Sequence, residues 1–77
     1  MKIKKCRLGA VGACGSITDL QNGIFLAVYH PNPDFEGIDV NGRAETRSTL
    51  MGCLKWFEEQ NKQLAEVLAF VDWQFIS

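Results

Sequence analysis

The sequence predicts a small α+β domain in which an antiparallel sheet packs against one α-helix. Two observations carry this prediction: apolar runs rich in β-forming residues lie on both sides of a single segment, and that segment spaces its apolar residues as a helix does. The chain has 77 residues, 47% hydrophobic and 22% charged, which is typical of one globular domain over residues 1–77. We expect the element order β-β-β-α-β, in which the hairpin before the helix can add one further strand, with the helix on one face of the sheet.

The first predicted strand covers residues 2–8. Its apolar residues do not alternate strictly, which indicates a bulge at Lys4-Lys5 or an edge position. The following segment, Gly9–Gly15, contains small residues and is predicted to be a pliable hairpin loop. A short polar stretch then ends at Asn22-Gly23, which is a turn signal.

The most strongly predicted strand is Ile24–His30, a continuous apolar run. A run of this kind indicates burial on both faces or a central place in the sheet. Pro31 ends the strand, since proline cannot donate to a ladder. Residues 35–46 are predicted to form a tight hairpin or one bent strand around Asn41-Gly42.

A helix is predicted over residues 47–62, with Thr46 or Ser48 as its N-cap. Its apolar stripe is about 100° wide and contains Leu50, Cys53, Leu54, Phe57 and Leu64. Residues 67–76 are rich in β-branched and aromatic side chains and are predicted to form the last strand, a helical extension being the alternative. The predicted core contains Leu26, Val28, Leu50, Leu54, Phe57 and Phe70.

The charge balance narrows the classes of partner. Eight Lys and Arg against nine Asp and Glu give a net charge of −1. This charge excludes a strongly acidic DNA mimic, and it argues against a strongly basic domain that binds nucleic acid mainly through the phosphates. Nucleic-acid binding remains the alternative, because basic residues cluster in the first strand and at the helix entrance. They are Lys2, Lys4, Lys5, Arg7, Arg43 and Arg47.

Membrane insertion and secretion are not expected. No apolar run in the sequence approaches the length of about 20 residues that a membrane span needs. The charged start, residues 1–5, is not followed by the apolar run and cleavage site of a secretory leader, so we expect a cytoplasmic protein.

The three cysteines are predicted to be free thiols without a metal. Cys6, Cys14 and Cys53 are odd in number and widely spaced, which is typical of small apolar side chains in a reducing compartment. The alternative is a zinc site of these cysteines with His30, but no close ligand pair such as CxxC is present.

We expect no enzyme and no cofactor. The spacing Gly9-x-x-Gly12-x-x-Gly15 superficially resembles a nucleotide-binding loop, but the residues before the next turn leave no room for a crossover helix. For the one histidine, His30, no third group that would orient a Cys–His pair can be assigned, and the spacing gives no Ser–His–Asp arrangement. The carboxylates near the proline turn are expected to be solvated; they are Asp34, Glu36 and Asp39.

The aromatic and methionine residues favour protein–protein contact. Trp56 lies about 60° outside one edge of the apolar stripe of the helix, at the rim of the predicted core. Met51 lies outside the opposite edge of the stripe. Large exposed side chains of this kind are enriched at interfaces. We therefore expect Trp56 to be the partner-binding anchor, followed by Met51, with Arg47 and Lys55 at the rim. Because the core is small, a homodimer is an alternative to a larger partner.

The chain resembles the small phage-encoded inhibitors of bacterial defence, notably anti-CRISPR proteins. The shared features are the short length, strands packed on one helix and the lack of a catalytic constellation. The resemblance implies a non-enzymatic inhibitor that blocks a nuclease or surveillance complex by occupying its surface. In outline the chain is also similar to HicB-like antitoxin domains, which place a helix after three strands, although it departs from them at Gly9–Gly15. The alternative function is therefore a small nucleic-acid-binding or HicB-like regulatory domain.

Overall fold

The structure, a computed structural model, describes residues 1–9, 12–32 and 41–75. Four strands precede two helices and a short fifth strand: β1 (Lys2–Arg7), β2 (Cys14–Asp19), β3 (Phe25–His30), β4 (Arg43–Arg47), α1 (Leu50–Gln60), α2 (Lys62–Phe70) and β5 (Gln74–Phe75). The α+β class is confirmed. The predicted order β-β-β-α-β differs in detail, because β2 was not predicted and the helical region contains two helices rather than one.

The sheet has the spatial order β4-β3-β2-β1-β5, and every pair of neighbours is antiparallel. The predicted strands at residues 2–8 and 24–30 are confirmed as β1 and β3. The sequence pattern missed β2, whose one large apolar residue is Ile17. The predicted turn before β3 is also confirmed, since Gly23 has a φ of +82° and the Leu20 N–H donates to the Ile24 carbonyl at 3.1 Å. Of the predicted 35–46 hairpin, residues 35–40 lie outside the described residues.

Both helices pack on the same face of the sheet, which we call the helix face. Ile17, Ala27 and Tyr29 point to it and are buried. Gly15 also lies on this face, where an added Cβ would lie 2.7 Å from Cε1 of Phe57. The glycine is thus required for the close approach of α1 to β2.

The opposite face is covered by neither helix, and we call it the open face. Because side chains alternate along a strand, β1 and β2 contribute Ile3, Lys5, Arg7, Cys14, Ser16 and Thr18, while β3 and β4 contribute Leu26, Val28, His30, Ala44 and Thr46. Of the two predicted alternatives for β3, the place inside the sheet is confirmed, because β3 pairs with β2 and β4, whereas burial on both faces is not found. The predicted core residues Leu26 and Val28 lie outside the core and are only partly buried.

Lys4 explains why apolar and polar residues do not alternate strictly along β1. Pairing with β2 continues without a bulge from Lys2 to Arg7, so Lys4 points to the helix face and is only 7% exposed. Its Nζ lies 5.4 Å from the centroid of the Trp73 ring, which gives the ammonium a cation–π partner. Of the two predicted alternatives for β1, the bulge at Lys4-Lys5 is absent, while on the other side of β1 the pairing with β5 is limited to Lys2 and Ile3.

A single asparagine separates the two helices. The Asn61 N–H donates to the Phe57 carbonyl at 2.6 Å, and the Asn61 side chain accepts from the Leu64 N–H at 3.1 Å, so Asn61 ends α1 and caps α2. At the other end of α1 the cap is Thr49, whose Oγ1 accepts from the Gly52 N–H at 3.0 Å, in place of the predicted Thr46 or Ser48.

The two helices of the described residues, α1 and α2, have 11 and 9 residues, and neither is a candidate membrane span.

Of the predicted final strand, residues 67–76, only Gln74–Phe75 form a strand, β5, whereas residues 67–70 belong to α2, in line with the helical alternative. Leu64, Ala65 and Leu68 face the sheet and are buried. Phe70 follows Leu68 by two positions, about 200° around the helix, and it is 89% exposed instead of lying in the core. Phe57 is confirmed as a core residue at 0% exposure, while Leu50 and Leu54 pack against the core and are partly buried.

The cap at Asn61 yields a prediction for stability. Asn61→Ala is expected to lower the free energy of unfolding by about 1 kcal/mol, since it removes the side-chain acceptor for the first turn of α2. Urea denaturation followed by circular dichroism measures the change. Asn61→Asp retains an acceptor oxygen and serves as the matched control. Equal losses in both variants would show that the cap does not stabilise α2.

Candidate functional site

Three of the four predicted partner-binding residues surround the start of α1 on the surface. Met51 is 64% exposed, and Lys55 lies one turn further along the exposed side of the same helix. Arg47 ends β4, its side chain 44% exposed and 3.6 Å from the Glu45 carboxylate. An exposed ion pair of this kind contributes little to stability. Arg47 is therefore available for a contact at the rim of a surface that contains Met51.

Trp56 does not lie at the rim of the core as predicted. It is 7% exposed, and its ring packs edge-on against Phe57 with centroids 5.1 Å apart. The reason is the position of α1, which packs over β3 and β4, so the sheet covers the Trp56 side of the helix. The structure thus leaves Trp56 little surface to offer a partner. Partner binding by the other three residues stays a prediction.

A groove of about 260 Å³ runs between the two helices on the side away from the sheet. Alkyl side chains and charged side chains both line it. The lining residues are Leu54, Glu58, Lys62, Ala65, Glu66 and Ala69. We call this feature the interhelix groove.

Two large apolar side chains lie on the same two helices, near residues that line the interhelix groove in sequence. Met51 precedes the lining residue Leu54 by one helical turn, and Phe70 directly follows the lining residue Ala69. Their exposures are 64% and 89%, respectively. Sequence reasoning missed Phe70 because its β-forming neighbours indicated a strand. The helical spacing of Leu64 and Leu68 is the signal that would have placed Phe70 outside.

The predicted basic cluster is divided by the sheet. Lys5 and Arg7 lie on the open face, whereas Lys4 is buried on the helix face. Arg43 lies on β4 at the other edge, and its Nη1 donates to Oε1 of Gln60 at 2.7 Å. The basic residues do not form one continuous patch.

The cysteines are free and lie on different sides of the sheet. The Cys6 thiol donates to the Leu64 carbonyl at 3.7 Å, and burial raises the pKa of Cys6 from its ordinary value of 9.0 to about 11. Burial also raises the pKa of Cys53, which is 0% exposed. Cys14 lies on the open face, so the zinc alternative of three cysteines and His30 is not assembled. Among the described residues, no group of three His, Cys, Asp or Glu side chains is arranged to hold a metal ion.

The acidic residues near the proline turn, Asp34, Glu36 and Asp39, lie outside the described residues.

Comparison with known proteins finds no family model, no curated protein and no solved structure that matches the chain. The exposed side chains and the groove are therefore the basis on which a function is proposed.

Proposed function

We propose that the chain is a non-enzymatic protein-binding module that contacts its partner through the interhelix groove. The observation that supports the proposal is the exposure of Met51 and Phe70, at 64% and 89%, on the two helices that line that groove. Large apolar and aromatic side chains at the centre of an interface supply most of the binding energy. Phe70 thus replaces Trp56 as the anchor, and Met51 keeps its predicted role.

The charged residues of the groove suit a rim around these anchors. Glu58, Lys62 and Glu66 carry both signs of charge, so they favour a partner with complementary charges around an apolar centre. Lys55 and Arg47 extend the rim along α1 and β4. Charged rim residues mainly change the rate of association and its salt dependence.

The class of partner is proposed from the resemblance to small phage-encoded inhibitors. On this proposal the chain occupies the surface of a CRISPR-type nuclease or surveillance complex and blocks it. A second copy of the chain is the other protein partner that this surface would fit, because exposed apolar side chains favour self-pairing in the same way.

The test uses purified chain and isolated CRISPR-type complexes, with binding measured by calorimetry and inhibition by cleavage of target DNA. Phe70→Ser and Met51→Ser are each expected to weaken binding by about 2 kcal/mol, or about thirtyfold. Both side chains are exposed, so the melting temperature is expected to stay close to that of the parent chain.

Leu20→Ser is the matched control. Leu20 is an apolar residue that is 37% exposed and lies between β2 and β3, outside both helices. It is expected to leave binding unchanged. Retention of full binding and inhibition by folded Phe70→Ser and Met51→Ser chains would overturn the proposed surface. Binding to none of the complexes, together with self-association that Phe70→Ser abolishes, would favour the homodimer.

One observation favours nucleic-acid binding as a second candidate. The open face carries Lys5 and Arg7, and none of its described positions on β1–β4 is an aspartate or glutamate. Binding to nucleic acid through these residues would weaken steeply as salt increases, whereas an apolar interface at Met51 and Phe70 would change little. Lys5→Gln would weaken the first kind of binding and leave the second unchanged.

A further inference from the structure

One edge of the sheet has no neighbouring strand. β4 stands first in the spatial order and pairs with β3 alone, so the outer side of its backbone has no ladder partner among the described residues. We propose that β4 pairs in antiparallel fashion with β4 of a second copy of the chain, which joins two sheets into one. This inference goes beyond the proposed protein-binding function and uses a surface other than the interhelix groove.

The charges along β4 alternate in sign. Arg43, Glu45 and Arg47 occupy every second position of the strand and therefore project to one face, while Ala44 and Thr46 project to the open face. Directly opposed residues of antiparallel strands project to the same face. When β4 pairs with its own copy, the charged residues of one chain therefore meet the charged residues of the other.

The register of the pairing decides whether these charges attract. If Glu45 faced its own copy, Arg43 would face the second copy's Arg47, and every opposed charge pair would be repulsive. A register centred on Thr46 places Glu45 opposite the second copy's Arg47, and two-fold symmetry repeats this pair. Thr46 then faces its own copy on the open face. Opposite charges and paired threonines both stabilise antiparallel strands, so we expect this register.

The side chains that this register needs are accessible. Glu45 and Arg47 are 41% and 44% exposed, and their ion pair along the strand spans 3.6 Å. Because an exposed ion pair contributes little to stability, both groups can turn to the second copy at small cost. A register centred on Ala44 would instead pair Arg43 with Glu45, but the Arg43 Nη1 already donates to Oε1 of Gln60 at 2.7 Å.

The opposite edge of the sheet is unsuited to the same pairing. β5 covers Lys2 and Ile3 of β1. The exposed charged residues of β1 are Lys2, Lys5 and Arg7, all positive, so two copies of β1 would place like charges together. Alternating charge makes β4 complementary to itself, and this is why a second copy, rather than an unrelated strand, is the partner that the edge fits.

The experiment measures self-association of the full chain by sedimentation velocity over a series of concentrations. Glu45→Arg and Arg47→Glu each replace two attractive pairs by two repulsive ones, so each is expected to weaken self-association by about tenfold or more. An equimolar mixture of the two variants brings opposite charges together again. The mixture is expected to form heterodimers about as strongly as the parent chain forms homodimers.

Asp72→Arg is the matched control, since it reverses an exposed carboxylate between α2 and β5, away from β4. It is expected to leave self-association unchanged, as is Phe70→Ser, which separates this interface from the interhelix groove. Circular dichroism verifies that each variant is folded, and if one charge reversal unfolds the chain, the other decides alone.

Three results would overturn the proposal. The first is a parent chain that stays monomeric at every concentration. The second is self-association that both charge reversals leave intact, including a dimer that Phe70→Ser alone abolishes. The third is a mixture of Glu45→Arg and Arg47→Glu chains that associates no better than either variant by itself.

Discussion

Phe57→Ala is expected to lower the free energy of unfolding by about 3–5 kcal/mol, enough to remove most of the stability of a small domain. Phe57 is 0% exposed and lies at the centre of the core. Its ring contacts Tyr29 and Trp56 edge-on, with centroids 6.4 Å and 5.1 Å away. Truncation removes these contacts and leaves a cavity that the sheet beneath α1 cannot fill. Urea or guanidinium denaturation measures the loss.

Phe70→Ala is the control for the same chemical change on the surface. Because Phe70 is 89% exposed, its truncation is expected to change the free energy of unfolding by no more than about 0.5 kcal/mol. Similar losses for the two phenylalanines would contradict the placement of Phe57 inside and Phe70 outside.

Gly15→Val is expected to destabilise the domain by up to about 3 kcal/mol. An added Cβ at Gly15 would lie 2.7 Å from Cε1 of Phe57 and 3.0 Å from Cδ2 of Leu64. Both neighbouring side chains are fully buried, so neither can move aside without displacing others. Valine favours strands in general, and a loss of stability would therefore measure the steric conflict directly.

Ser16→Val adds the same β-branched side chain at the next position of β2, on the open face. There it meets no helix, and its expected effect on the free energy of unfolding is zero or slightly stabilising. Both variants are compared by denaturation under identical conditions. A Gly15→Val chain as stable as Ser16→Val would show that α1 does not approach β2 as closely as the structure indicates.

The parts of the fold that were predictable are those with a strong local pattern. The β3 strand is a continuous apolar run, and α1 repeats its apolar residues with helical spacing, so both were found. The β2 strand was not found, because Ile17 is its one large apolar residue and it is held by ladders to β1 and β3. Such ladders join residues that are distant in sequence.

The helical region shows a conflict between composition and periodicity. The β-forming composition of residues 67–76 indicated a strand throughout, but the spacing of Leu64 and Leu68 and the cap at Asn61 give a helix up to Phe70, and a strand forms at Gln74–Phe75. Tertiary packing overrides local propensity in such a segment.

The candidate site was predictable in part. The period of α1 correctly placed Met51 and Lys55 on the surface, but the exposure of Trp56 depends on which side of the helix the sheet covers. The place of β4 at an edge of the sheet depends on which strands pair. No local pattern determines that pairing, so sequence reasoning could not identify the unpaired edge.

The unequal pairing of the strands has a consequence for how the domain opens. β2 is paired along its whole length on both sides, whereas β5 is paired with β1 through two residues, Lys2↔Phe75 and Ile3↔Gln74. Trp73 supports β5 from the helix face, where its ring lies 6.5 Å from Phe25 and 5.4 Å from the Lys4 ammonium.

With so few ladder bonds, β5 and Trp73 form a cooperative unit of low local stability. In native-state hydrogen exchange, the backbone amides of β5 and Trp73 would exchange when this unit alone unfolds. The backbone amides of β2 would exchange only when the whole domain unfolds. Each such opening would free the edge of β1 and return the Lys4 ammonium to water. A strand held by two residue pairs thus covers part of an edge of β1 that could otherwise pair with another chain.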